Sequence, residues 1–287
     1  MIGGKSEKGL ILEGGAMRGL FSAGVMDVMM ENGIVFDGAI GVSAGAAFGC
    51  NYKSKQPGRV LRYNTKYSKD KRYCSIRSLL KTGDLYGADF CYRELPEELD
   101  IFDVETYRAN PMEFYAVATD IETGNPVYHR CDSGAGDDLE WYRASASLPL
   151  VSRIVEIDGL KLLDGGISDS VPLKFFENIG YDRNVVVLTQ PKGYRKGKNS
   201  TVPLLKMKYR KYPKLIEGMK KRHDMYNATL EYVEKREKEG SVLVIRPEEK
   251  LPIKRVERDP VRLCEVYDMG RKVADGVIKR IIDFLNY

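Results

Sequence analysis

Histidine is almost missing from this chain, with His129 and His223 the only two among 287 residues. Serine-histidine-aspartate chemistry therefore has very little to draw on, and a reaction that needs a base is pushed toward a carboxylate. Cysteine is too sparse for a scaffold. Cys50, Cys74, Cys91, Cys131 and Cys264 are odd in number, scattered and without a C-x-x-C pair, which argues against a disulfide framework or a zinc site and for small thiols in a reducing compartment. Long apolar runs are lacking too. No stretch of 18 apolar residues occurs, and no apolar h-region follows the opening "MIGGKSEKG", so the expectation is a cytoplasmic chain with no spanning helix. There is no internal repeat and no linker long enough to force a second independent domain.

What is present is enough apolar material for a sizeable core, 43% of the residues, and a regular alternation of strand and helix signals. "KGLILEG" reads as a short buried strand, and Leu20 to Glu31 as a helix with Phe21, Val25, Val28 and Met29 on one face, ended by Gly33. A second strand around Ala39 to Val42 feeds a tight turn and a helix of small residues. Two such units in succession predict a parallel α/β layer. Further along, a helix is expected over Gly58 to Ser68, an irregular basic region through "LLKTGDLYGADF", and a hairpin over "EFYAVATDIETGNPVYHR" joined at "ETGN". "DLEWYRASASLPL" predicts a helix that stops before Pro149. A second hairpin, "RIVEIDGLKLLDGG", turns at Asp158-Gly159 and delivers Asp164 to its far end. Then come a helix over "VPLKFFENIG", a buried strand over "NVVVLTQ", helix from Leu204 to Glu239 with a break near Pro213, a strand over "SVLVIRP", and a last helix capped by Asp259-Pro260.

Charge is unevenly placed. Of the net +5, the stretch from Lys192 to Asp224 alone holds twelve Lys or Arg (192, 195, 196, 198, 206, 208, 210, 211, 214, 220, 221 and 222) against Glu217 and Asp224. With Tyr194, Tyr209 and Tyr212 interleaved, it suits a phosphate-bearing partner, either anionic lipid or nucleic acid; equally, it is what a solvated loop and helix face look like.

Three glycine-bearing turns carry the chemistry. "GVSAG", Gly41 to Gly45, matches G-x-S-x-G, a strand-to-helix turn that holds Ser43 with its hydroxyl exposed. "GGAMRG", Gly14 to Gly19, is a glycine-rich turn between strand and helix whose backbone N–H groups can face an anion. "DGG", Asp164 to Gly166, ends a strand with a carboxylate. The base for Ser43 is then His129, at the end of a hairpin strand, His223, inside the basic helix, or Asp164. The two histidines read more readily as structural or surface residues, while the glycines after Asp164 allow close approach to the serine turn.

In this order and at this spacing the three motifs resemble the patatin-like acyl hydrolases, related to cytosolic phospholipase A, over roughly Lys8 to Leu188, with the whole chain similar to a bacterial stand-alone branch. The resemblance implies a three-layer α/β/α fold with a central, mostly parallel sheet and a helical C-terminal extension: an acyl hydrolase unit over 8–190 and a basic, mainly helical segment over 191–287. It implies a serine–aspartate dyad with Ser43 as nucleophile and Asp164 as general base, and an oxyanion hole from the backbone of Gly14, Gly15 and Ala16. Arg18, Gly19, Gly41, Gly45, Gly165 and Gly166 support the motifs. The chain departs from the family's pattern at Ala16, where a third glycine is usual, and at Asp169, where an asparagine is common. The implied substrate is a lipid or acyl ester, entering past "YGADFCYRELP" and the helix at Trp141, with no cofactor, no metal and no nucleic-acid partner, and with peripheral contact to anionic membrane through the basic segment. Two other readings stand beside it: a non-catalytic or regulatory protein of this fold that binds an anionic partner through residues 192–224, and a nucleotide-binding protein. The latter is weak because "GGAMRG" has no P-loop Lys-Ser/Thr and breaks G-x-G-x-x-G at Ala16.

Overall fold

The computed structural model describes residues 7–286; most of "MIGGKSEKG" and the last residue of the expected 191–287 segment lie outside that range. In chain order the elements are β1 (Glu7–Leu12), α1 (Gly19–Glu31), β2 (Gly38–Val42), α2 (Ala44–Lys53), α3 (Arg59–Tyr67), α4 (Ile76–Thr82), α5 (Val104–Ala109), β3 (Glu113–Asp120), β4 (Pro126–Arg130) and α6 (Asp137–Ala146). They continue with β5 (Val155–Ile157), β6 (Leu160–Asp164), α7 (Leu173–Asn178), β7 (Tyr181–Val187), α8 (Val202–Lys208), α9 (Pro213–Lys238), β8 (Val242–Ile245) and α10 (Pro260–Asn286).

One sheet in the order β5-β6-β3-β2-β1-β7-β8, with β4 paired to β3, forms the middle layer. Strands β3, β2, β1, β7 and β8 run parallel, while β4, β5 and β6 pair antiparallel. Side chains alternate between its two faces, as the pleat requires. Leu10, Leu12, Val185, Val187, Leu243 and Ile245 point into the larger core shared with α1, α2 and α10. Ile11, Ile40, Val42, Val186 and Val244 point into the core beneath α7 and α9. Three α/β/α layers result.

Helix α1 departs from the one-faced helix expected of Phe21, Val25, Val28 and Met29, because every residue from Gly19 to Met29 is buried. Helix α10 covers the side that would otherwise meet water. The two helices touch backbone to backbone: a Cβ on Gly24 would lie 2.1 Å from the Tyr267 carbonyl oxygen, and one on Gly270 would lie 2.0 Å from that of Phe21. The region around "LLKTGDLYGADF" is also more ordered than expected. Its start belongs to α4, capped by the Ser75 side chain accepting from Ser78 N–H, and Phe90–Leu99 winds as a wide π-type helix around Pro96. Periodicity alone does not single out so short or so wide a turn.

Candidate active site

Strand register brings the candidate nucleophile and base together. On one edge of β3, β2 pairs as far as Val42 opposite Val117; on the same edge, β6 takes over at the next rung with Asp164 opposite Ala118. Strand β4 occupies the other edge. The residue that follows Val42 is Ser43, so the ends of β2 and β6 meet head to head with Ser43 and Asp164 at the junction.

Ser43 has φ 57° and ψ −123°, a conformation costing a non-glycine residue about 1–3 kcal/mol that surrounding contacts must hold. Its N–H donates to the buried Ser145 hydroxyl on α6 at 2.8 Å. The turn can form only because neighbouring backbones press close: a Cβ on Gly45 would lie 2.3 Å from the Leu12 carbonyl oxygen, and one on Gly14 2.7 Å from that of Val42. Gly41, next to the end of β2, lies against the Gly45 backbone across the same turn, and Gly19 starts α1 against Ala44 and Phe48.

Asp164 is 1% exposed. Its Oδ1 accepts from Gly166 N–H at 2.8 Å. Its Oδ2 is buried with no hydrogen-bond partner among the described residues. Burial pushes the Asp164 carboxyl up from its ordinary value, opposed by the Arg222 guanidinium, by the nearby Ser43 hydroxyl and by Arg255. Gly165 and Gly166 open a short 3-10 turn after β6.

The Gly14-Gly15-Ala16 turn faces Ser43. Among the described residues the N–H groups of all three donate to no acceptor. Ala16 takes up φ 50° despite its methyl, a left-handed conformation that costs an alanine about 1–2 kcal/mol. The turn is held from behind by Glu13, whose carboxylate accepts from Thr189 N–H and from the Tyr226 hydroxyl, both at 2.6 Å. Thr189 Oγ1 also donates to the Gly14 carbonyl at 3.1 Å. Arg18 closes the turn, its Nε buried and without a hydrogen-bond partner among the described residues.

Ser43 stands where two cavities meet. One, about 710 Å³, is lined largely by apolar and aromatic side chains, among them Phe48, Tyr63, Tyr92, Leu95, Phe102 and Tyr142. The other, about 40 Å³, is lined by Gly14, Gly15, Ala16, Asp164 and several cations. Residues Tyr86, Ala88, Cys91 and Pro96 from "YGADFCYRELP" line the large cavity as expected. Trp141 does not. It stacks on His129 with ring centroids 4.2 Å apart, while its helix neighbours Leu139 and Tyr142 face the cavity.

The remaining polar candidates sit elsewhere. His129 Nε2 lies 3.5 Å from Asp138, whose carboxylate also accepts from Ser133 and Gly134. His129, Cys131 and Asp138 are close enough to hold a cation, but none of them lines either cavity. His223 does line the large one, with Nδ1 3.1 Å from the Lys220 carbonyl and Nε2 3.3 Å from Asp224 on its own helix. Asp169 accepts from the Tyr128 hydroxyl at 2.9 Å. Of the twelve cations in the basic stretch, ten are exposed. Lys196 and Arg222 are half-buried and turned toward Ser43 and Asp164. Their direction was not legible in the charge run, and Arg222, Tyr226 and Arg255 are contributions that only the packed C-terminal segment makes.

Residues 10–176 match the family model Patatin-like phospholipase, and residues 212–286 match a domain of unknown function, DUF6363. The chain is 31% identical over 196 residues to the uncharacterized protein YjjU of Escherichia coli K12, covering 63% of this chain and 52% of that protein. It is 26% identical over 179 residues to lysophospholipase nte1 of Aspergillus oryzae, covering 61% of this chain and 11% of that protein. The chain thus spans about half, or less, of the length of these curated relatives. A solved structure of VipD from Legionella pneumophila superposes with a TM-score of 0.44 at 13% identity, covering 95% of this chain and 67% of that one. With the matched segment taking in the serine turn, the aspartate turn and the glycine-rich turn, more than half of the chain, this protein belongs to the patatin-like phospholipase family.

Proposed function

We propose that the protein hydrolyses acyl esters of lipids through a Ser43–Asp164 dyad, with 8–190 as the hydrolase unit and 191–287 as an extension packed on it. The observation that carries this is the shared edge of β3, where Val42 and Asp164 take adjacent rungs so that Ser43, the residue after Val42, meets Asp164 beside three N–H groups that donate to no acceptor among the described residues. Ser43 Oγ attacks the ester carbonyl carbon as its proton passes to Asp164 Oδ2. The carbonyl oxygen becomes an oxyanion, held by the N–H groups of Gly14, Gly15 and Ala16. Losing one such donor commonly costs about 3 kcal/mol of transition-state stabilisation. The carbon–oxygen bond to the alcohol then breaks, the alcohol takes the proton from Asp164, and the acyl group stays on Ser43. Water repeats the sequence, giving its proton to Asp164 and releasing the acid. The aromatic cavity of about 710 Å³ receives the acyl chain.

Access to a lipid surface follows from the cavity's rim. Ile76 and Leu80 on α4 and Leu204 and Met207 on α8 are exposed, and the segment just after each helix is tied to the 148–152 loop that lines the cavity: Leu85 N–H donates to the Val151 carbonyl, and Leu150 N–H to the Tyr209 hydroxyl. Exposed Lys206, Lys208, Arg210 and Lys211 surround the second apolar pair, the composition of an interfacial contact with anionic lipid.

The test is hydrolysis of a chain-length series of p-nitrophenyl esters. Ser43→Ala and Asp164→Asn, each folded by circular dichroism, should lose at least about 10³-fold in kcat/KM. Activity surviving in Ser43→Ala refutes the assignment, and a folded wild type inert across the series favours an anion-binding protein of this fold.

A further inference from the structure

The smaller cavity holds more positive charge than the dyad chemistry uses. Arg18 from the turn after β1, Lys196 from the 188–201 loop, Arg222 from α9 and Arg255 from the segment before α10 all line it, against Glu13 and Asp164. Among the described residues none of these four cations has a carboxylate within 4.0 Å, whereas Arg and Lys side chains elsewhere on the molecule commonly do. Glu13 is already committed to Thr189 and Tyr226. Arg222 donates its Nε to the Gly166 carbonyl. Lys196 Nζ lies 4.3 Å over the Tyr226 ring, and its loop is pinned by Asn227 accepting from Lys196 N–H at 2.8 Å. Burial, with Arg222, Arg255 and Arg18 adding like charge, pushes the Lys196 ammonium down to about 8. A cluster of like charges this short of counter-ions is relieved by a bound anion.

Geometry says where that anion belongs to the substrate. Lys196, Arg222 and Arg255 line both cavities, and Ser43 lies where the cavities join. With the acyl chain in the apolar cavity, the alcohol side of the ester points to the cations. The space there, about 40 Å³, takes a compact group rather than an extended one. Four cations against two carboxylates match a dianion, and a group that carries its own cation brings like charge into the cluster.

We infer that Lys196, Arg222 and Arg255 form an anion subsite beside Ser43 that selects acyl esters whose alcohol portion bears a phosphomonoester, over those with a neutral alcohol or a choline-capped phosphate. This gives the C-terminal segment a direct part in specificity, and it rests on the hydrolase reading above.

Binding tests it apart from turnover. Ser43→Ala protein is titrated calorimetrically with 1-decanoyl-glycerol-3-phosphate, 1-decanoylglycerol, 1-decanoyl-glycerophosphocholine and inorganic phosphate. The phosphomonoester lipid should bind at least tenfold more tightly than the other two lipids. Adding Lys196→Gln or Arg255→Gln should cut that preference below threefold, while Lys196→Arg retains it. Equal affinity for the three lipids, or a preference unchanged in both glutamine variants, overturns the subsite. Inorganic phosphate binding as tightly as the phosphomonoester lipid would place a free-phosphate site there and overturn the lipid assignment. An intact preference in a protein that hydrolyses no ester would sink the hydrolase reading alone, since the titration needs no nucleophile.

Discussion

Asp164 is subject to opposed influences whose balance decides when its carboxylate is ionised. Burial raises its pKa above the ordinary 3.8, and the charges of Arg222 and Arg255 together with the Ser43 hydroxyl and Gly166 N–H pull it back. The folded state therefore holds the proton more tightly than the unfolded chain does. Stability from this group is fully present below the unfolded carboxylate pKa and is lost as pH rises through the folded value. Under the proposed dyad, activity runs the other way, because only the ionised carboxylate would accept the serine proton. The acid limb of kcat/KM should lie above pH 3.8, and Arg222→Gln should move it further up by removing the larger of the two attractive charges. A limb that stays in place or moves down in Arg222→Gln would show that the guanidinium does not act on the dyad.

At the scale of elements, the site is a meeting of turns, and their glycines are needed where one backbone lies against another. Gly45 shows this most directly, since its missing Cβ would fall 2.3 Å from the Leu12 carbonyl oxygen in the neighbouring strand. Backbone cannot swing aside as a flexible side chain can. Gly45→Ala should lower stability by about 1–3 kcal/mol, read as a lower urea midpoint at unchanged m-value, and, on the proposed mechanism, should lower esterase activity with it because β1 leads into the Gly14-Gly15-Ala16 turn. An unchanged midpoint would mean that the β1–α2 contact is looser than its geometry implies. The same logic explains why the serine turn tolerates a strained Ser43: Ser145 holds its N–H and close-packed strands hold the rest.

On the scale of the whole molecule, the C-terminal third closes the fold and the site together. Helix α10 buries the far side of α1, and α9 brings Arg222 and Tyr226 to the glycine-rich turn after β1. That division of labour leaves ten cations of the basic stretch exposed, and four of them, Lys206, Lys208, Arg210 and Lys211, flank exposed Leu204 and Met207 in the sequence. Vesicle sedimentation should show binding to anionic but not neutral bilayers, falling steeply as salt shortens the Debye length. Replacing Leu204 and Met207 together with serine should weaken that binding several-fold with the esterase rate on short soluble esters retained. Equal binding to both vesicle types would remove the membrane reading.

The sequence by itself determined the turns. "GGAMRG", "GVSAG" and "DGG" were legible because a close backbone approach or a sharp strand-to-helix turn demands particular residues at particular neighbouring positions. The parallel α/β order of the first two strands and helices was legible for a similar reason, as each carries its own short-range pattern. Only the tertiary structure decided what meets what across the chain. That Val42 and Asp164 occupy consecutive rungs on one edge of β3, and so bring Ser43 to Asp164, is a matter of register between strands some 120 residues apart, and no local pattern encodes it. That α1 is buried on every side depends on α10, which begins 229 positions after α1 ends. A run of lysines and arginines looks the same whether it faces water or a carboxylate, so the inward turn of Lys196 and Arg222, and the outward turn of their ten neighbours, came only with packing.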